Sequence, residues 1–159
     1  MIGQLDTILL VEDNPQDVLL MQRAFRKASI VNPLQVVEDG EQAVLYLSGQ
    51  KPYTNRNQHP LPVLILLDLK LPRKSGAEVL SWLQQQPELK RLPVVVLTSS
   101  REYADINRVY DLGANAYMVK PVSFDALVEI VKMLNTHWIV FNEKPQVELR
   151  SESHSQPAS

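Results

Sequence analysis

Apolar positions along the chain fall into two rhythms. Short apolar runs occupy residues 7–11 (TILLV), 63–67 (VLILL), 92–97 (LPVVVL) and 116–119 (AYMV), and Leu34 to Val37 reads as a further strand. Each is strand-length and bounded by polar or turn residues, and runs without polar alternation suit strands buried on both faces, as in a parallel sheet. Between them the apolar residues recur at helical spacing. Val18, Leu19, Met21, Phe25 and Ala28 follow Asn14-Pro15 up to about Ser29, with Asn14 as N-cap and Pro15 in the first turn. Asn32-Pro33 marks a turn, and Asp39 caps a helix holding Ala43, Val44 and Leu47. Gly76 opens a third helix through Val79, Leu80 and Leu83 that ends near Pro87; a fourth spans residues 103–112 and is stopped by Gly113. A last one starts at Ser123 and runs as SFDALVEIVKMLNTHWIVF. Five strands alternating with five helices predict an α/β fold with both faces of a parallel sheet covered.

Two polar stretches break this alternation. Residues 49–60 (GQKPYTNRNQHP) predict a long loop, read as a tolerated surface insertion. Residues 142–159 predict a polar, disordered tail, leaving residues 1–141 as one domain with no output domain behind it. The composition changes little in this picture. The 159 residues are 45% hydrophobic with a formal net charge of −2, which offers no basic footprint for nucleic acid. There is no cysteine, which removes disulfides, thiolate metal sites and cysteine nucleophiles and fits a cytoplasmic protein. The N-terminal apolar run is too short for a signal or membrane helix.

The chemistry gathers at the strand ends. The first strand ends in Glu12 and Asp13, the third in Asp68, the fourth in Thr98 and the fifth in Lys120. Singly, each has an ordinary explanation. Asp68 suits a turn or a helix cap, Glu12 and Asp13 suit the start of a helix, Thr98 suits a strand-end cap, and Lys120 suits solvent. In a parallel sheet, however, all five converge on one edge. Three carboxylates packed there demand a cation, and a hard, oxygen-ligated site with open positions suits Mg²⁺. Lys120 and Thr98 complete the set needed to stabilise charge on a phosphoryl group, and a carboxylate can itself be the nucleophile. Asp68, central in the sheet, is the natural acceptor.

The motifs ILLVEDNPQD, LILLDLKLPRKSG, VVVLTSS and GANAYMVKP resemble those of the receiver domains of bacterial two-component response regulators. The resemblance spans roughly residues 7–137. It implies a flavodoxin-like, doubly wound sheet in the order 2-1-3-4-5, with Asp68 as phosphoacceptor for a sensor histidine kinase. It implies a Mg²⁺ site formed by Glu12, Asp13, Asp68 and the main-chain carbonyl of Lys70. Thr98 and Lys120 would contact the phosphoryl group. Tyr117 matches the switch aromatic that moves with the threonine, and a cis peptide is implied at Lys120-Pro121. The phrase VVEDGEQAVLYLSGQKPY and the long loop after it are further similar to stand-alone receivers paired with cyanobacterial phytochromes, which implies a light-regulated kinase as donor.

Some positions depart from the common receiver pattern. Ser75 stands where many receivers have aspartate, while Lys70 and Ser100 occupy the variable positions that tune dephosphorylation. Phosphohydrolases that form an aspartyl-phosphate use a second aspartate two residues after the first; Lys70 stands there and argues against that chemistry. A degenerate receiver serving only as a binding module is disfavoured by the intact set of Glu12, Asp13, Asp68, Thr98 and Lys120. A flavin binder is disfavoured because Glu12-Asp13 replaces a phosphate loop after the first strand. Apolar residues on more than one stripe of the last helix, densest at 138–141, predict a homodimer through that helix and the fifth-strand face.

Overall fold

The computed structural model describes residues 5–140. Five strands form one parallel sheet: β1 (Ile8–Val11), β2 (Leu34–Val37), β3 (Leu64–Leu67), β4 (Val94–Thr98) and β5 (Ala116–Val119). Their order is β2-β1-β3-β4-β5. Five α-helices alternate with them: α1 (Pro15–Lys27), α2 (Gly40–Ser48), α3 (Gly76–Gln84), α4 (Tyr103–Asp111) and α5 (Phe124–Leu134). A 3₁₀ turn at Leu89–Arg91 precedes β4.

The unbroken apolar runs are explained by what lies on the two sides of the sheet. Leu9, Val11, Ile65, Leu67, Val94 and Val96 face a core shared with α2, α3 and Val109 of α4. Their sequence neighbours Ile8, Leu10, Leu64, Leu66, Val95 and Leu97 face α1 and α5. Successive strand side chains point to opposite faces, so in the central strands of a sheet covered twice both sets of positions are apolar. Each such Leu, Ile or Val contributes roughly 1.5–3 kcal/mol by leaving water.

Local chemistry sets where the helices begin. Asn14 Oδ1 accepts from Gln16 N–H at 2.9 Å to start α1. Asp39 Oδ1 accepts from Gln42 N–H at 2.7 Å to start α2. Ser75, the departure from the receiver pattern, starts α3 through a reciprocal capping box with Glu78, both bonds 3.2 Å. Gly76 is required for a different reason: an added Cβ would collide with the carbonyl oxygen of Asp68. The β3–α3 connection therefore folds back onto the residue that directly follows β3.

Two regions differ from expectation. The last helix is not uniform: α5 stops at Leu134, and Asn135–Val140 continue as a π-helix. The i→i+5 turn returns Ile139 to the face of Leu134, and Ile139 is buried while Trp138 packs half-buried against the same core. Part of the apolar surplus that predicted a dimer is thus consumed within the chain. Phe141 and the polar tail lie outside the described residues.

The loop at 49–60 lies on the surface as expected, yet it is a built structure. Arg56 donates to the carbonyls of Tyr46 at 2.8 Å, Leu47 at 2.9 Å and His59 at 3.1 Å. Both of the first two are last-turn carbonyls of α2; Tyr46 O also accepts from the C-cap Gly49 N–H at 3.2 Å. Tyr46 donates its hydroxyl to Pro60 O at 2.8 Å, and its ring lies 5.1 Å from that of Tyr53. Gln35, on edge strand β2, donates to Gln58 O at 3.3 Å, so the loop shields part of a sheet edge.

Candidate functional site

The carboxyl ends of β1, β3 and β5 bring the charged residues together. Glu12 directly follows β1 and is buried; Asp13 beside it is exposed; Asp68 directly follows β3 and is 8% exposed. Carboxylate oxygens of these three lie within 4.8 Å of one another. Lys120, directly after β5, reaches into the group: its Nζ is 2.6 Å from Glu12 Oε1 and 3.0 Å from Asp68 Oδ2. Asp68 is further oriented by Lys70 N–H, which donates to its Oδ1 at 3.3 Å.

Sequence reasoning missed one member. Asp17 Oδ2 lies 2.9 Å from Lys120 Nζ, giving the lysine a third carboxylate partner. Its signal was available: Asp17 stands in the first turn of α1, which starts right beside the strand end carrying Glu12 and Asp13.

The electrostatics show how crowded the acids are. Burial, reinforced by the charge of Asp68, pushes the Glu12 carboxyl up to about 7, against the hydrogen bonds from Lys120 and Asn14 N–H. Burial acts to lower the Lys120 ammonium, but hydrogen bonds to Asp17 and Glu12 and the charge of Asp68 outweigh it and raise it above the ordinary lysine value. Three carboxylates this close together, two of them buried and with an exposed Asp13 leaving open positions, fit a hydrated divalent cation. The cavity beside it, lined in part by Glu12, Asp17, Asp68, Lys120 and Pro121, holds about 50 Å³. That is far below the ~300–1,000 Å³ of sites for larger organic ligands.

Thr98 ends β4, the strand next to β3, and is wholly buried. Its Oγ1 has no hydrogen-bond partner, which is costly for a hydroxyl unless a ligand supplies one. The structure does not bring it into direct contact with the acids. Tyr117 is half-buried and donates its hydroxyl to Ser100 O at 2.7 Å. Lys70 extends its side chain into solvent. The implied cis peptide at Lys120-Pro121 is not found: that bond is trans, and among the described residues the cis peptide is Lys51-Pro52.

A family model for the response regulator receiver domain matches residues 8–132. The chain belongs to that family. This receiver is 41% identical over 132 residues to the response regulator Rcp1 of a Synechocystis strain, covering 83% of this chain and 88% of Rcp1. The crystal structure of the phosphorylated cyanobacterial phytochrome response regulator RcpA is 39% identical, with a TM-score of 0.82, and the match covers 89% of this chain and 99% of that one. The Mn²⁺-bound form of Rcp1 is 38% identical with a TM-score of 0.79 over the same shares. The receiver fold and the order 2-1-3-4-5 expected from sequence are therefore those observed. The chain is a signalling protein of two-component systems, of a family that binds a divalent metal and works with sensor histidine kinases. Among the described residues no helix is long and apolar enough to cross a membrane.

Proposed function

We propose that this receiver accepts a phosphoryl group from the phosphohistidine of a phytochrome-type sensor histidine kinase onto Asp68. The observation that carries the reading is the Lys120 ammonium held 3.0 Å from Asp68 Oδ2 beside three mutually close carboxylates. An Asp68 carboxylate oxygen attacks phosphorus; the P–O bond forms as the P–N bond breaks. The electron pair stays on the donor imidazole nitrogen, which takes up a proton. Lys120 neutralises charge on the carboxylate and on a phosphoryl oxygen. The buried Thr98 hydroxyl, without a protein partner, is the donor suited to another phosphoryl oxygen. Glu12, Asp13, Asp68 and the Lys70 carbonyl would hold Mg²⁺, which when bound supplies charge neutralisation at the equatorial oxygens.

The phytochrome-type donor is supported by the likeness to Rcp1 and RcpA. The absence of cysteine suits a cytoplasmic site of action. The receiver domain, residues 1–141, signals through protein contacts, with Thr98 and Tyr117 as the switch pair. Exposed Met133 beside the groove formed by Ala116, Met118 and Trp138 supports a homodimer across the α5–β5 face; sedimentation at rising concentration reads it directly.

The deciding test is incubation with a labelled small-molecule phosphodonor and Mg²⁺. The wild type takes up label and Asp68→Asn does not. Equal labelling of both, or none of the wild type, overturns the assignment.

A further inference from the structure

Helix α4 is the most weakly attached of the five. Val109 is its one buried residue, and its N-cap Glu102 makes no side-chain capping bond. Little apolar burial marks a segment of low local stability. What ties it down is a ring of hydrogen bonds that begins and ends on α4. In its last turn, Tyr110 Oη accepts from Tyr117 N–H at 3.1 Å. That donor lies on β5, an edge strand, where an N–H has no neighbouring strand to receive it. The Tyr117 hydroxyl donates to Ser100 O at 2.7 Å. The Ser100 hydroxyl donates to Asp105 Oδ2 at 2.6 Å, back in the first turn of α4. Ser100 also accepts from Glu102 N–H at 3.4 Å.

The ring encloses the turn that follows Thr98. Thr98 and Tyr117 lie on the same face of the sheet, because Tyr117 pairs in register with Val96, two residues before Thr98. The Thr98 hydroxyl is buried without a partner, an arrangement that the turn would relax away from unless something held it. The geometry points to Tyr110 and Asp105 as positioning residues, clamping α4 to the turn after Thr98 so that the Thr98 hydroxyl stays free for a phosphoryl oxygen. This rests on the phosphoacceptor reading. Neither residue touches the acids; both act through Ser100 and Tyr117.

The test uses the full chain with Mg²⁺ and beryllofluoride as the phosphoryl mimic. Tyr110→Phe and Asp105→Ala should each weaken beryllofluoride binding by about two- to tenfold, the range expected for one hydrogen bond. Affinity for Mg²⁺ alone should not change, because no metal-binding carboxylate is disturbed. In a Thr98→Ala background, Tyr110→Phe should cost nothing further, since the hydroxyl being positioned is gone. Unchanged beryllofluoride affinity in both variants overturns the clamp. So does a parallel loss of Mg²⁺ affinity, or a full additive loss on top of Thr98→Ala. A wild type that binds no beryllofluoride overturns the phosphoacceptor reading itself, which separates the two failures.

Discussion

At the scale of single residues, Lys120 decides the character of the site. Its ammonium answers Glu12 and Asp68, both buried, and Asp17 at the rim. Removing it leaves buried carboxylates without a counter-charge. Lys120→Met should destabilise the metal-free protein by about 2–3 kcal/mol at pH 8, below the ~3–5 kcal/mol of a fully buried pair because water reaches the rim. The sign with pH follows from Glu12. Its carboxyl is raised from 4.5 to about 7 in the folded protein, so the folded state holds a proton that the unfolded chain releases. Stability from the neutral form is complete below about 4.5 and is lost as pH rises through about 7. Urea unfolding in chelator should show the Lys120→Met loss shrinking from pH 8 to pH 6; a loss that grows toward acid contradicts it.

At the scale of elements, the chain terminates its helices in ways that a hydrophobic pattern does not record. Arg56 closes α2 from a loop eight residues beyond Ser48, through bonds to the carbonyls of Tyr46 and Leu47. Arg56→Ala should lower stability by about 2 kcal/mol, because three charged hydrogen bonds to backbone carbonyls are lost. Mg²⁺ affinity should be unaffected, since this loop lies at the amino edge of the sheet and the acids at the carboxyl edge. Isothermal titration and chemical unfolding separate the two effects. At the other end of the chain, Ile139→Ala should cost about 2–4 kcal/mol by opening a cavity under the π-helical turn, whereas an Ile139 on an exposed dimer stripe would cost almost nothing in the monomer. Thermal unfolding at low protein concentration distinguishes these.

At the scale of the whole molecule, a cation that binds only the folded state must stabilise all of it. Mg²⁺ at ten times its dissociation constant should add about 1.4 kcal/mol to the unfolding free energy. Asp13→Ala, which removes the exposed member of the acid triad, should abolish that gain while leaving the sheet intact. Melting curves with and without Mg²⁺ read both. The same view explains why a small domain can signal: the stable core lies on β1, β3 and β4 with their covering helices, and α4, held by little apolar burial, is the part free to respond.

Much of this was legible in the order of the residues. Unbroken runs such as LILL and VVVL admit no polar face, so they demand a sheet covered on both sides, and a parallel sheet carries whatever follows its strands to one edge. The positions of Glu12, Asp13, Asp68, Thr98 and Lys120 at one sheet edge follow from that arrangement, because each stands at or just past the end of its strand. The folded chain alone decided the partners that no local pattern encodes. Asp17 meets Lys120 across 103 positions of sequence, and Tyr117 reaches Ser100 across 17. Arg56 leaves a loop to cap a helix already passed, and Ile139 returns to the core because the last helix widens. Each of these is a side chain satisfying a buried polar group or filling a space that exists only once the sheet and its helices have closed around it.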